Sequence, residues 1–264
     1  MSDAGTHILD GPTGPLEWSS HGRGEPCTLF VHGLAGSIEE TRPFASGVPG
    51  RRVFLHVRGH GASPAPPGPW AYDDLAREVR AVADHVRASQ VLGVSMGAGA
   101  VCALLAASPD RFRRTVLALP AVLDRRSEDD SLERAARLAD LIDACDVDAI
   151  AEQLVRDQRV APPQRPAVEQ WAARAARRLS GSATSVALRQ MPLRAAVDDL
   201  GALSAVRSPV LVIAQRDDPL HPVEVAERLV AAFPDGRLEI LPPGGVLWAH
   251  RATLRRVVGD FLGA

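Results

Sequence analysis

The chain reads as an α/β protein: a mostly parallel sheet covered by helices on both faces, with a block of helices inserted between two strands. Two observations predict this. Short, almost continuous apolar runs alternate with helical patterns, as expected for strands buried on both faces and joined by crossover helices. One stretch, 123–190, breaks the alternation and carries arginine- and alanine-rich helical patterns with no convincing strand. The 264 residues suffice for a sizeable core.

The elements follow in order. "TLFVHG" (28–33) and "RVFLHV" (52–57) read as buried strands, each running into a glycine-containing turn. "YDDLAREVRAVADHVR" (72–87) repeats apolar residues at three- and four-residue spacing and reads as a helix. Asp73 and Asp74 suit the positive end of its dipole. "VLGV" (91–94) is a strand and "MGAGAVCALLAA" (96–107) a helix of small residues, with Ser95 between them. "RTVLAL" (114–119) is the next strand. After the helical block come the strand "PVLVIA" (209–214), the helix "PVEVAERLVAAF" (222–233), the strand "RLEIL" (237–241) and a closing helix, "ATLRRVVGDFL" (252–262). "VAPPQRP" (160–166) breaks the helical block. The expected organisation is a core of 1–122 and 191–264 with a helical cap of 123–190, placed to wall a pocket at the sheet's carboxyl edge.

Composition excludes several functions. The formal net charge is −2, so no strong field favours nucleic acid or an anionic membrane. Every basic residue among the 30 is arginine, which removes lysine nucleophiles, Schiff-base lysines and P-loop lysines. Cys27, Cys102 and Cys145 are too widely spaced for a metal motif or disulfide framework. The histidines, including His7, His21, His56 and His85, lack HExxH spacing, and no GxGxxG turn is present. No cofactor or metal is expected. The start lacks a basic-then-apolar leader, and no uncharged apolar run is long enough to span a membrane. A cytoplasmic protein with a small-molecule substrate and no nucleic-acid or membrane partner is the expectation; the oligomeric state is left open.

"GVSMG" (93–97) carries the chemistry. A serine between strand and helix, flanked by glycines, is held at strained angles with its hydroxyl exposed. Gly93 and Gly97 leave room where side chains would collide. The helix N-terminus offers unpaired N–H groups, so the Met96 N–H can face a developing oxyanion. "VHGLAG" (31–36) is a second glycine-rich turn, able to swing the Leu34 N–H toward Ser95. His32 would brace that loop.

With "VHGLAG", "VRGHGAS", "GVSMGAG" and "PVLVIAQRDDPLHP" in this order, the sequence resembles the α/β-hydrolase superfamily, in its single-domain lipase- or lactonase-like form with a helical cap. The resemblance implies an eight-stranded, mostly parallel sheet, Ser95 as nucleophile, and Met96 and Leu34 as oxyanion donors. It implies an acid in a loop patterned as glycine, two residues, aspartate, three residues, proline. Asp218 fits, four residues before Pro222, with Asp217 in reserve; Gln215 stands where the pattern has glycine.

The base is where the chain departs from the pattern. The family places a histidine after the last strand, following a glycine pair. Here Gly244–Gly245 is followed by Val246, which cannot move a proton. His250, four residues on, is the leading replacement: a long loop could bring its ring to Ser95, whereas a helical start at 246 would leave it too far, about 6 Å along the axis. His221 and His60 are the reserve candidates. Without a base, the pocket and oxyanion hole could serve a lyase, cyclase or isomerase, or an inactive ligand-binding relative. Leu34, Met96, Val246, Leu247 and Trp248 suggest an apolar pocket, with Trp248 either stacking on substrate or packing the last helix. The leading expectation is a serine hydrolase of an ester, thioester or lactone.

Overall fold

The computed structural model describes residues 5–126 and 129–264. Its eight strands form one sheet in the order β1-β2-β4-β3-β5-β6-β7-β8. They are β1 (Thr6–Gly11), β2 (Gly14–His21), β3 (Cys27–Val31), β4 (Arg51–Leu55), β5 (Gln90–Val94), β6 (Arg114–Ala118), β7 (Val210–Gln215) and β8 (Gly236–Leu241). From β4 through β3 to β8 every pairing is parallel; β1 and β2 add an antiparallel edge. The sequence reading of the strands missed that edge hairpin. Its strands carry Gly and Pro, and β1 buries none of its residues fully, so neither presents the apolar run that marks a central strand.

Two helix layers cover the sheet. Side chains alternate across each strand. Leu29, Val31, Val91, Leu117 and Val212 point to one face, which packs on α2 (Tyr72–His85), α3 (Met96–Ala107) and α8 (Val223–Ala231). Phe30, Leu92, Val116, Leu211 and Ile213 point to the other, covered by Ile38 of α1 (Ile38–Thr41) and by Leu254, Val258 and Phe261 of α9 (Arg251–Gly263). Every residue of β3 and β7 is buried.

Among the described residues four α-helices lie between β6 and β7: α4 (Asp129–Asp143), α5 (Val147–Gln158), α6 (Arg165–Leu179) and α7 (Thr184–Gln190). They share a third apolar core, made by Leu138, Ile142, Ile150, Ala176, Leu179 and Leu188. Leu34 and Ala35, in the loop after β3, pack against that core. No helix among the described residues is long and apolar enough to cross a membrane.

The β5–α3 turn is a tight joint between sheet and helix. A Cβ on Gly93 would lie 2.4 Å from the Gly97 carbonyl oxygen, and one on Gly97 would lie 2.5 Å from that of Val31. The obstructing atoms are backbone of neighbouring segments and cannot rotate away. Gly97→Ala should therefore destabilise the protein by about 1–3 kcal/mol, the usual cost of forcing atoms into a packed core. Denaturant unfolding of the variant against the parent measures this; an unchanged midpoint would contradict the close approach.

Candidate active site

Ser95 joins β5 to α3 with φ 52° and ψ −112°. A positive φ is rare and strained for a residue with a side chain. The Ser95 N–H donates to the Ala118 carbonyl at 2.9 Å, and the Ser95 carbonyl accepts from the Gly99 N–H at 3.1 Å. Sheet and helix thus hold the residue from both sides. A Cβ on Gly33 would lie 3.2 Å from the Ser95 Cβ, so the loop after β3 closes directly over the serine.

The loop between β7 and α8 supplies its neighbours. Asp218 Oδ1 accepts from the Leu220 N–H at 2.9 Å and the His221 N–H at 3.2 Å, folding the loop around the carboxylate. Asp218 Oδ2 lies 2.9 Å from His221 Nδ1, and His221 Nε2 lies 3.0 Å from Ser95 Oγ. An ionised carboxylate only accepts, so Nδ1 carries the proton and Nε2 offers its lone pair to the serine hydroxyl. Burial by itself would raise the Asp218 carboxyl. Attraction to the His221 ring when it carries a second proton, with the hydrogen bonds from that ring and from backbone N–H groups, outweighs this and holds the carboxyl below its ordinary value.

This replaces the expected partner of Ser95. His250 Nε2 lies 3.1 Å from the Pro243 carbonyl oxygen, and His250 does not border the cavity. The physical reason is the wide helical turn over Gly245–Ala249. It winds the chain from the start, the case in which His250 falls away from Ser95, and lays the ring over Gly244. Val246 is buried in the second apolar layer and also lines the cavity. His60, the other reserve candidate, has both ring nitrogens engaged: Nδ1 with the Arg58 carbonyl at 2.9 Å and Nε2 accepting from the Ala35 N–H at 3.2 Å. Asp217 borders the cavity with φ 58°, but Asp218 is the carboxylate that meets His221.

The loop after β3 is held by three histidines. His32 Nδ1 lies 2.7 Å from the Gly33 carbonyl, and its Nε2 accepts from the Val57 N–H at 3.3 Å. His60 takes the Ala35 N–H, and His56 Nε2 takes the Ile38 N–H at 3.0 Å while its Nδ1 donates to Glu17 at 2.7 Å. A fourth support comes from α6. Arg178 donates to the Gly36 carbonyl at 2.9 Å and to Glu40 at 2.8 Å, and the Trp171 indole N–H donates to the same Glu40 oxygen at 3.1 Å. Burial raises the Glu40 carboxyl against the pull of Arg178. Sequence reasoning missed His56, Glu40 and Arg178. Their chain separations carry no local pattern; an i, i+3 reading of Asp218 and His221 was the signal available for the base.

The cavity above Ser95 holds about 310 Å³. Leu34, Leu119, Leu138 and Leu247 make its wall largely apolar. Trp248 reaches across to α5, donating to Gln158 at 2.7 Å, and its ring lies 5.7 Å from that of Trp171. Arg134 and Asp157, 3.0 Å apart, form a charged pair at the helical side.

Burial lowers His60 to about 4 and lowers His32 well below its ordinary value. Both rings are neutral in the folded protein and regain protons at ordinary affinity on unfolding. Below the unfolded value of about 6.5 the unfolded state binds more protons. Stability should therefore be full above pH ~6.5 and fall as the pH drops toward 4, by up to about 3 kcal/mol from His60, with His32 acting in the same direction. Denaturant midpoints across this range test it. His60→Gln, which keeps an acceptor and cannot titrate, should flatten the slope.

The model of the alpha/beta hydrolase fold matches residues 28–247. A relative in Variovorax paradoxus, named "Putative carbamate hydrolase RutD", is 30% identical over 267 residues, covering 94% of this chain and 96% of the relative. The 3-oxoadipate enol-lactonase 2 of Acinetobacter baylyi is 30% identical over 204 residues, covering 72% and 69% of the two chains. Among solved structures, the enol-lactonase from Burkholderia xenovorans superposes with a TM-score of 0.81 at 20% identity, over 98% of this chain and 100% of that one. The chain belongs to the α/β-hydrolase fold family.

Proposed function

We propose that this member of the hydrolase family is a serine hydrolase of a small or medium ester, thioester, lactone or carbamate, working through an acyl-enzyme. The observation that carries the reading is the His221 imidazole, within hydrogen-bond reach of both Ser95 and Asp218. A serine hydroxyl is a poor nucleophile until a neighbouring base takes its proton, and that base needs a carboxylate to fix its tautomer. All three parts are assembled, which favours hydrolysis over a base-free lyase or a silent binding protein. The names of the two relatives, one a carbamate hydrolase and one an enol-lactonase, support a carbonyl–heteroatom bond as the target.

In this mechanism Ser95 Oγ bonds to the substrate carbonyl carbon as its proton passes to His221 Nε2. Asp218 stabilises the resulting imidazolium. The carbonyl oxygen becomes an oxyanion, held by the N–H groups of Met96 and Leu34. Collapse breaks the bond to the leaving oxygen, sulfur or nitrogen, which takes the proton from His221. Water then adds to the acyl-enzyme, giving a proton to His221. The second collapse frees the acid and returns that proton to Ser95. The helices between β6 and β7 act as the cap over the acyl chain. A cytoplasmic enzyme with a small-molecule substrate is part of the same reading.

The test is a set of variants assayed on activated acyl esters, with intact-protein mass recorded over time. Ser95→Ala and His221→Ala should each lower kcat by about 10³-fold or more, and Asp218→Asn by about 10²–10⁴-fold. His250→Ala should stay within about twofold of the parent, as for surface positions generally. A transient acyl adduct should map to Ser95. Loss of activity in His250→Ala with retention in His221→Ala would overturn the assignment.

A further inference from the structure

The turn after β3 is anchored peptide by peptide. A peptide unit is planar, so holding its carbonyl also fixes the direction of its N–H. The Gly33 carbonyl takes the Gly36 N–H at 3.0 Å and the His32 Nδ1–H at 2.7 Å, which fixes the plane carrying the Leu34 N–H. The Ala35 N–H donates to His60 at 3.2 Å. The Ala35 and Gly36 carbonyls both accept from Arg178 Nη1, at 3.3 and 2.9 Å. The Leu34 N–H itself has no partner among the described residues. The Met96 N–H, at the first position of α3, has none within its helix.

These anchors differ in origin. His32 and His60 belong to the core, whereas Arg178 comes from α6 of the helical insertion. Trp171 and Arg178 are seven residues apart, two turns of α6, and share one face of it. Both donate to Glu40 Oε1 of α1, Arg178 through Nη2. One nitrogen of the guanidinium is thus spent on the turn and another on Glu40. A lysine ammonium would carry the charge but lacks the planar fork that spans both. Glu40 and Trp171 border the cavity together with Leu34 and Ser95.

The geometry links Arg178 to the Leu34 N–H in two steps. The Ala35 carbonyl and the Gly36 N–H belong to one peptide plane, so the bond from Arg178 to that carbonyl fixes the N–H. The same N–H holds the Gly33 carbonyl, whose plane carries the Leu34 N–H. Ala35 has φ 58°, a left-handed conformation unfavourable for a residue with a side chain. Such a conformation persists only while its surroundings hold it. Release of the two carbonyls would therefore turn the Leu34 donor as well.

We propose that Arg178 is a positioning residue for the oxyanion hole: it acts through the Ala35–Gly36 peptide to aim the Leu34 N–H, and makes that donor depend on the docking of α6. The helical insertion is then part of the reaction machinery as well as a wall of the pocket. The oxyanion in this statement rests on the serine-hydrolase reading; the hold of Arg178 on the turn does not. A donor aimed at a developing charge matters in the transition state and little in the bound ester, so its loss falls on kcat and spares substrate binding.

The experiment compares the parent with Arg178→Lys, which keeps the charge beside Glu40. Turnover of p-nitrophenyl butyrate gives kcat and KM. Inhibition by propyl trifluoromethyl ketone reads the oxyanion directly: Ser95 Oγ bonds to the ketone carbon, the carbonyl π pair moves onto its oxygen, and the serine proton passes to His221. Ethyl butyrate binding to Ser95→Ala, with and without Arg178→Lys, reads the ground state by calorimetry. Hydrogen exchange of the peptide spanning residues 33–37 reads the turn without any reaction. Arg178→Lys should lower kcat and weaken the ketone by about tenfold or more, with KM and ester affinity within about twofold. Exchange at the Ala35 and Gly36 N–H groups should rise. Glu40→Gln, which keeps an oxygen for both donors, should lose less than Arg178→Lys. An unchanged kcat, a loss carried equally by ester affinity, unchanged exchange, or a larger loss in Glu40→Gln overturns the role of Arg178. A parent with neither turnover nor a ketone adduct overturns the hydrolase reading and the oxyanion role with it, while exchange still decides whether Arg178 holds the turn.

Discussion

The approach of Gly97 to the backbone of β3 is the constraint on which the site depends. Helix α3 meets the sheet so closely that its first turn touches the Val31 and His32 carbonyls. A side chain at 97 would push the helix away, and with it the serine at the helix's start. The same closeness makes the strained φ of Ser95 tolerable. Packing on both sides, with hydrogen bonds to β6 and into α3, over-determines the backbone there. The hydroxyl is therefore presented by a rigid joint rather than by a mobile loop.

Around that joint, the neighbours of Ser95 come from a single short loop, where Asp218 organises its own backbone and also binds His221 three residues on. The dyad is pre-assembled locally and needs only the β7–β8 end of the sheet to aim it at Ser95. The segment after β8 packs in two directions. Val246 joins the apolar layer, and Trp248 bonds to Gln158 of α5. The segment ties the core to the helical insertion.

The loop after β3 is built the opposite way, because distant parts of the chain hold it. His56 and His60 accept two of its N–H groups, His32 bonds the Gly33 carbonyl, and Arg178 bonds a carbonyl from the helical side. In the proposed mechanism this loop supplies the Leu34 N–H to an oxyanion, and such a donor must be fixed before charge develops. Neutral imidazoles suit this bracing, since each accepts one N–H and satisfies its other nitrogen in a dry interior.

The parallel sheet, its helices, the strained turn at Ser95 and the turn around Asp218 were legible in the sequence, because each is written in local pattern. Apolar runs report burial on two faces, and glycines beside Ser95 report close backbone approach. The edge hairpin β1–β2 was not, since a half-exposed strand rich in Gly and Pro resembles a loop. The partner of Ser95 was legible only as a choice among histidines. His221 and His250 are both within a plausible loop of the sheet edge; the wide turn at 245–249 directs one away, and the Asp218 loop directs the other inward. Glu40 with Arg178, and His56 with Ile38, meet across 138 and 18 residues of chain. Such contacts depend on how packed layers bring remote segments together, which local periodicity does not encode. Local pattern was therefore enough for the fold and for the setting of Ser95. The side chains that complete the site were settled by the direction each loop takes in three dimensions, which follows from packing between segments far apart in the chain.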